Sequence, residues 1–314
     1  MAVGYTNDIA FYREIMTRGV SEYILAPVQP NAVVAAVSEL YGKTTSSKLG
    51  QVYAFIGAKG GSGSSTVAHN VAWSMARRSN LDVIIADMDL PFGTAALDFD
   101  VDGGPGIAEA LQDPRRIDEV LLDRLLTQCG DHLSLLAAPA TLDRSYDLDE
   151  GTVARLIEVA QGSVPFLVLD MPRQWTAWTK NTLNLVDEVI ITATPDLASL
   201  KVTKTIIDSL KRARPSDPPP KIVLNQVGMP KRPEIKPKAF AEAVQLEPDA
   251  CIPFDAHLFG TAANNGQMVA EVSPRAAAAK SFAGLAEMLT SRHPIKGSKR
   301  TRFSLGALFE RLRT

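Results

Sequence analysis

Lys59, Gly60, Gly61, Ser62, Gly63, Ser64, Ser65 and Thr66 are the residues whose types and spacing point most directly to chemistry. The glycines leave backbone N–H groups free to converge on an anion. The hydroxyl-rich end opens an amphipathic stretch, Val67–Arg77, whose helical N-terminus adds partial positive charge. The apolar run Val52–Gly57 before the loop reads as a strand, so strand, loop and helix stand in the order a phosphate cradle needs. Such loops normally place Lys directly before the hydroxyl pair; here that position is Ser64, and the lysine stands at the loop's start as Lys59. A lysine on phosphate makes charge-assisted hydrogen bonds of about 1.5–3 kcal/mol each. Losing one predicts about 10- to 150-fold weaker binding or transition-state stabilisation. Backbone amides and Lys59 remain, so the pattern predicts phosphate binding with slow hydrolysis.

Acids at two other strand ends belong with this loop. Val83–Asp87 is followed by Met88 and Asp89, and Pro165–Asp170 ends in Asp170. In an open parallel sheet ligands bind beyond the carboxyl ends of the strands, where all three signals would meet. The elements needed to position them are legible from the alternation of apolar runs with helical periodicity, which predicts parallel strands and crossover helices. Strands are predicted at 52–57, 83–87, 133–137, 165–170, 188–193 and 221–225. Helices are predicted at 66–78, 106–111, 118–128, 149–161, 176–185, 197–213, 236–245 and 275–291. The fold class is therefore α/β, a doubly wound, mostly parallel sheet carrying a phosphate loop. His69 reads as a packed or surface histidine, and Trp175 and Trp178 as core or partner-facing residues.

At 314 residues, 46% hydrophobic and 22% charged, the chain suits one large α/β domain with appendages. No apolar run approaches the roughly 20 residues that span a bilayer, and no basic start with an apolar core predicts a leader. Cys129 and Cys251 lack metal-ligand spacing and read as reduced, partly buried residues of a cytoplasmic protein. The total charge is −2, but six basic residues against one acid give Lys296–Thr314 a charge of +5, which leaves −7 for the remainder. That acidic body makes nucleic acid an unfavoured partner. In the tail, Leu305, Leu308, Phe309 and Leu312 fall on one helical face. A short basic amphipathic helix of this kind can lie on an anionic inner-membrane surface; docking on its own body, or disorder, is the alternative. Residues 1–42 hold a helix around Asp8–Arg18, a strand Glu22–Ala26 and a second helix Asn31–Tyr41. Residues 43–50 form a polar linker, 51–292 the α/β body and 293–314 the tail.

The run Lys-Gly-Gly-x-Gly, the pair Asp87-Met-Asp89 and strand-end Asp170 resemble the deviant-Walker ATPases of the ParA/MinD family over roughly residues 51–292. That resemblance implies ATP and Mg²⁺ as cofactors and an ATP-bound homodimer. It makes Lys59 a residue reaching the partner's phosphates, Ser65 a Mg²⁺ ligand and Thr66 an α-phosphate contact. Asp89 would orient the attacking water, and Asp87 and Asp170 would serve the metal shell. Asn225 would read adenine, and Pro253 and Asp255 would lie in the loop closing over the base. Ser64 departs from the family pattern and puts efficient hydrolysis in doubt, implying at most a weak ATPase.

Trp175-Thr-Ala-Trp178, Ala193–Leu200, Leu224–Glu234 and Leu258–Gly266 are similar to the CpaE/TadZ branch, which serves assembly of Flp (tight-adherence) pili. The branch implies pilus secretion components as partners and a polar location. It also makes residues 1–42 the C-terminal half of an atypical receiver-like domain, without the half that bears a phospho-acceptor. A DNA- or membrane-positioning ATPase and a nucleotide-free scaffold remain the other readings.

Overall fold

Alternating side chains of one strand supply both layers of the core. The computed structural model describes residues 1–6, 8–28, 49–111, 114–139 and 148–291. In β3 (Gln51–Gly57), Val52, Ala54 and Ile56 join one buried cluster, and Tyr53 and Phe55 the other. A strand covered on both faces reads as a near-continuous apolar run, as Val52–Ile56 does.

The remaining strands of this sheet are β4 (Val83–Asp87), β5 (Thr127–Gly130), β6 (Leu133–Leu136), β7 (Phe166–Met171), β8 (Glu188–Ala193), β9 (Lys221–Val227) and β10 (Ala250–Pro253). Their order is β10-β9-β8-β3-β7-β4-β6-β5. Every pair is parallel except β5 with β6. The doubly wound, mostly parallel sheet expected from the sequence is therefore present.

One helical layer comprises α2 (Ser64–Ser79), α3 (Ala95–Asp98), α10 (Ala256–Asn264), α11 (Val269–Val272) and α12 (Ala277–Ser291). The other comprises α4 (Gly106–Ala110), α5 (Glu119–Leu125), α6 (Glu150–Ser163), α7 (Ala177–Leu185), α8 (Leu197–Ala213) and α9 (Pro237–Val244). Side-chain caps set several starts: Asp118, Asp149, Thr176, Asp196 and Asp255 each accept a backbone N–H from the first turn of the helix they precede.

Several sequence expectations need correction. The helix predicted at 118–128 stops at Leu125, because Thr127–Gly130 turns back as an antiparallel edge strand on β6. The 250–253 stretch is a strand pairing β9, and α3, α10 and α11 are additional short helices. Cys251 is exposed and only Cys129 is half-buried. Near the N-terminus, β1 (Ala2–Gly4), α1 (Ile9–Thr17) and β2 (Tyr23–Leu25) form a β–α–β unit with a parallel two-stranded sheet. β1 was not foreseen. The helix expected at 31–41, most of the 43–50 linker and the basic tail lie outside the described residues. No helix among the described residues is long and apolar enough to cross a membrane.

Candidate functional site

The parallel register brings the sequence signals to one end of the sheet. Asp170 of β7 stands opposite Phe55 of β3 on one side and Asp87 of β4 on the other. Gly57, where β3 gives way to the glycine loop, is level with Thr192 of β8. Lys59, Gly60, Gly61, Ser62, Gly63, Ser64 and Ser65 line a cleft of about 300 Å³ together with Asp89 and Arg173. Arg173 was not singled out from the sequence.

The cradle is open at Gly60 and Gly61. A side chain added at Gly60 or Gly61 would meet nothing within 4 Å, so the loop is not packed against the core at these positions. Gly61 and Gly63 adopt φ of 76° and 80°, and a Cβ at Gly63 would lie 2.5 Å from Asn225 Nδ2. Both conformation and crowding require glycine there. No side chain caps α2, so the first-turn N–H groups face the cleft without an intrahelical partner. Ser64 Oγ and Asp170 Oδ1 are buried and have no hydrogen-bond partner. Orphaned polar atoms around an open glycine loop fit a nucleotide phosphate with its hydrated divalent ion.

The loop is held from outside by residues at the end of β9 and just beyond it. Asn225 Nδ2 donates to the Ser62 carbonyl at 2.8 Å, and Gln226 Nε2 to the Gly61 carbonyl at 2.9 Å. Arg232 in turn donates to the Gln226 carbonyl at 2.6 Å and to its side chain at 3.1 Å. The Arg-Pro stretch around 230–237, which reads in sequence as a solvated loop, thus supplies a clamp. Asn225 retains one side-chain N–H beyond its bond to Ser62. With Thr66, Pro253, Phe254, Asp255 and Phe259 it lines a second cleft of about 160 Å³ that meets the first at Gly63. Asp255 itself is committed to capping α10, accepting the Leu258 N–H at 3.0 Å.

Buried charge concentrates behind the cleft. His69 is 0% exposed, with Nδ1 2.7 Å from Asp98 Oδ2 and Nε2 3.3 Å from Asp170 Oδ2. Burial alone would lower its pKa, but the two flanking carboxylates raise it to about 10. Reading His69 as mere packing missed this; only its place one turn beyond the loop could have signalled it. Asp87 accepts backbone N–H groups from Asp89 and Ala95 at 3.2 and 3.1 Å. Burial and the neighbouring Asp170 push its carboxyl up to about 7. Asp89 is half-buried, and burial raises its carboxyl too. Trp178 packs on the core, whereas Trp175 is 48% exposed.

Lys59, on the cleft wall, pairs with Asp196 at 2.6 Å. Burial would raise the Asp196 carboxyl. Hydrogen bonds from Lys59, the Ser199 N–H and the Thr194 hydroxyl outweigh it and hold the carboxyl at about 2. Ser65 and Thr66 open α2, and among the described residues no group of three or more His, Cys, Asp or Glu side chains could hold a metal by itself.

A family model described as an AAA domain matches residues 50–217. An uncharacterised protein of Mycobacterium tuberculosis is 26% identical over 211 residues, covering 66% of this chain and 57% of that protein. The septum site-determining protein MinD of Synechocystis sp. is 26% identical over 154 residues, 49% of this chain and 56% of that protein. The chain thus spans little more than half the length of the curated relatives it matches. Among solved structures, a ParA family ATPase from Chlorobium tepidum aligns with a TM-score of 0.68 at 24% identity, covering 77% of this chain and 99% of that one. MinD of Pyrococcus horikoshii complexed with Mg-ADP aligns at 0.66 and 20% identity, covering 80% and 100%. Likeness at these identities establishes the fold, that of the ParA and MinD ATPases.

The Asp196 contact predicts a pH signature. A carboxyl depressed to about 2 contributes stability that is present above the unfolded value of about 3.9 and lost as pH falls through about 2. Asp196→Asn should therefore be less stable than the parent at pH 5–7, with the gap closing in acid. Urea unfolding midpoints across a pH series measure this; a gap unchanged in acid would assign the loss to another cause.

Proposed function

We propose, because the chain belongs to the AAA domain family matched over residues 50–217 and shares the fold of the ParA and MinD ATPases, that it is a nucleotide-dependent switch. It binds ATP with Mg²⁺, dimerises in that state and hydrolyses slowly or not at all. The observation that carries this reading is the open glycine loop, with orphaned Ser64 Oγ and Asp170 Oδ1, joined at Gly63 to a second cleft containing Asn225 and two phenylalanines. The phosphate cleft suits the polyanion and the second cleft a flat, partly apolar base.

In this reading the loop amides and Ser65 bind the phosphates and metal, Asp170 orients the metal's water shell and Asp89 positions the attacking water. Bound Mg²⁺ would neutralise phosphate charge. Asp87, bonded to two backbone N–H groups, shapes the Asp89 turn. Lys59 serves the dimer by meeting the partner's phosphates once released from Asp196. The biological setting, assembly and polar localisation of Flp pili with secretion components as partners, rests on the CpaE/TadZ-like segments. The basic tail would add contact with the inner membrane.

Labelled ATP at millimolar Mg²⁺ is expected to bind saturably, and sedimentation to give a dimer with ATP that Lys59→Ala abolishes. Ser64→Lys should raise turnover by about 10- to 150-fold, the value of one charge-assisted contact. No saturable binding would leave a nucleotide-free scaffold. Salt-sensitive, ATP-dependent DNA binding would instead favour a partitioning role.

Full-length protein should pellet with anionic vesicles, and a variant lacking 294–314 should stay in the supernatant with unchanged ATP affinity. Full-length protein that ignores such vesicles removes the membrane from the reading.

A further inference from the structure

Two cations line the phosphate cleft, and they stand in different electrostatic states. Lys59 is neutralised by Asp196 at 2.6 Å. Arg173 makes no ion pair with any described residue. Its position follows from the end of β7: Asp170, Met171 and Pro172 are buried, and the chain then emerges so that Arg173 is exposed on the cleft wall. A proline at 172 fixes φ at that exit and limits how far the wall can shift.

The cleft also has a direction. The base-sized cleft touches it at Gly63, with Thr66 on the far side, and neither Asp89 nor Arg173 borders that second cleft. Asp89 follows β4 and Arg173 follows β7, on the opposite side of β3 from β9 and β10, whose ends line the second cleft. Both therefore sit at the end remote from the base, where the last phosphate of a nucleoside triphosphate would lie. An arginine there offers a fork of donors matched to phosphate oxygens and cannot be deprotonated.

We propose that Arg173 is the terminal-phosphate cation of this site, filling the electrostatic role vacated by Ser64. The inference deepens the proposed nucleotide switch and rests on it. It makes Arg173 a discriminator between triphosphate and diphosphate, because its contact exists only when the last phosphate is present. It also explains how a loop without its usual lysine keeps a positive charge near the cleft while Lys59 is held by Asp196.

The test is equilibrium binding of labelled ATP and ADP, with Mg²⁺, to the full chain and to Arg173→Ala, Arg173→Lys and Arg212→Ala. Arg212 borders a neighbouring cavity that Arg173 also touches, but not the phosphate cleft, so it controls for general loss of positive charge. Arg173→Ala should weaken ATP by about 10- to 150-fold and ADP by less than about threefold, the threshold being small beside a tenfold step. Arg173→Lys should recover part of the loss and Arg212→Ala should match the parent. Because Arg173 is exposed, the urea midpoint should not move. Parent protein that binds ATP equally well with Arg173→Ala overturns the inference and leaves the switch intact. Equal loss of ATP and ADP, or equal loss with Arg212→Ala, overturns it as well. Parent protein that binds no ATP removes the switch itself and this inference with it.

Discussion

Asp87 and Asp170 face each other across adjacent parallel strands, both almost without water, and much of the site answers that repulsion. Two like charges in a low-dielectric interior cannot both be carried without compensation. The protein uses three devices. Asp87 gains two backbone N–H groups that favour its charge, yet burial and the neighbouring Asp170 push it up to about 7, so part of that charge is given up. His69, fully buried, is raised to about 10 and supplies a cation beside Asp170. Asp98 then fixes the other ring nitrogen at 2.7 Å. The Asp89 turn, the start of α3 and the helix behind the glycine loop are tied together through this one cluster.

A second constraint acts on the loop from the opposite side. An open cradle is by construction unpacked on its inner surface, so its shape has to be enforced from outside. Asn225 and Gln226 do so by satisfying the carbonyls of Ser62 and Gly61, and Arg232 holds Gln226 in turn. Hydrogen bonds from a charged donor to a partly buried carbonyl are among the stronger ones available. The consequence is that the Gly61 and Ser62 carbonyls are occupied from outside the cradle and do not face an anion bound within it. The base-sized cleft and the loop geometry share Asn225, so the two ends of the site are mechanically one.

The sheet was legible because its central strands are near-continuous apolar runs, two of which lead into the glycine loop at Gly57 and the acidic turn at Asp87. β5 was not, because Thr127–Gly130 is an edge strand whose half-exposed residues continue the helical period before them. Lys59, Asp89, Asp170 and Asn225 were legible as strand-end and loop chemistry. His69 and Arg232 were not: His69 acts through Asp98, 29 residues away, and through Asp170 on another strand, and Arg232 through Gln226, only six residues away, and periodicity carries no information on either. Arg173 escaped for another reason: a lone arginine after a strand looks like any solvated residue until the cleft it lines is known.

The Lys59–Asp196 contact shows how the same residues can rest in one arrangement and still serve a ligand. Both side chains keep substantial contact with water, at 35% and 25% exposure, and pairs of that kind contribute about 0–1 kcal/mol. Asp196 is also not stranded if Lys59 departs, because the Thr194 hydroxyl and the Ser199 N–H remain on it at 2.6 and 3.0 Å. A charge-assisted bond from the lysine to phosphate is worth about 1.5–3 kcal/mol. The exchange is therefore favourable when phosphate is present and unfavourable when it is not. Asp196 holds Lys59 firmly enough to define a resting position and weakly enough to release it.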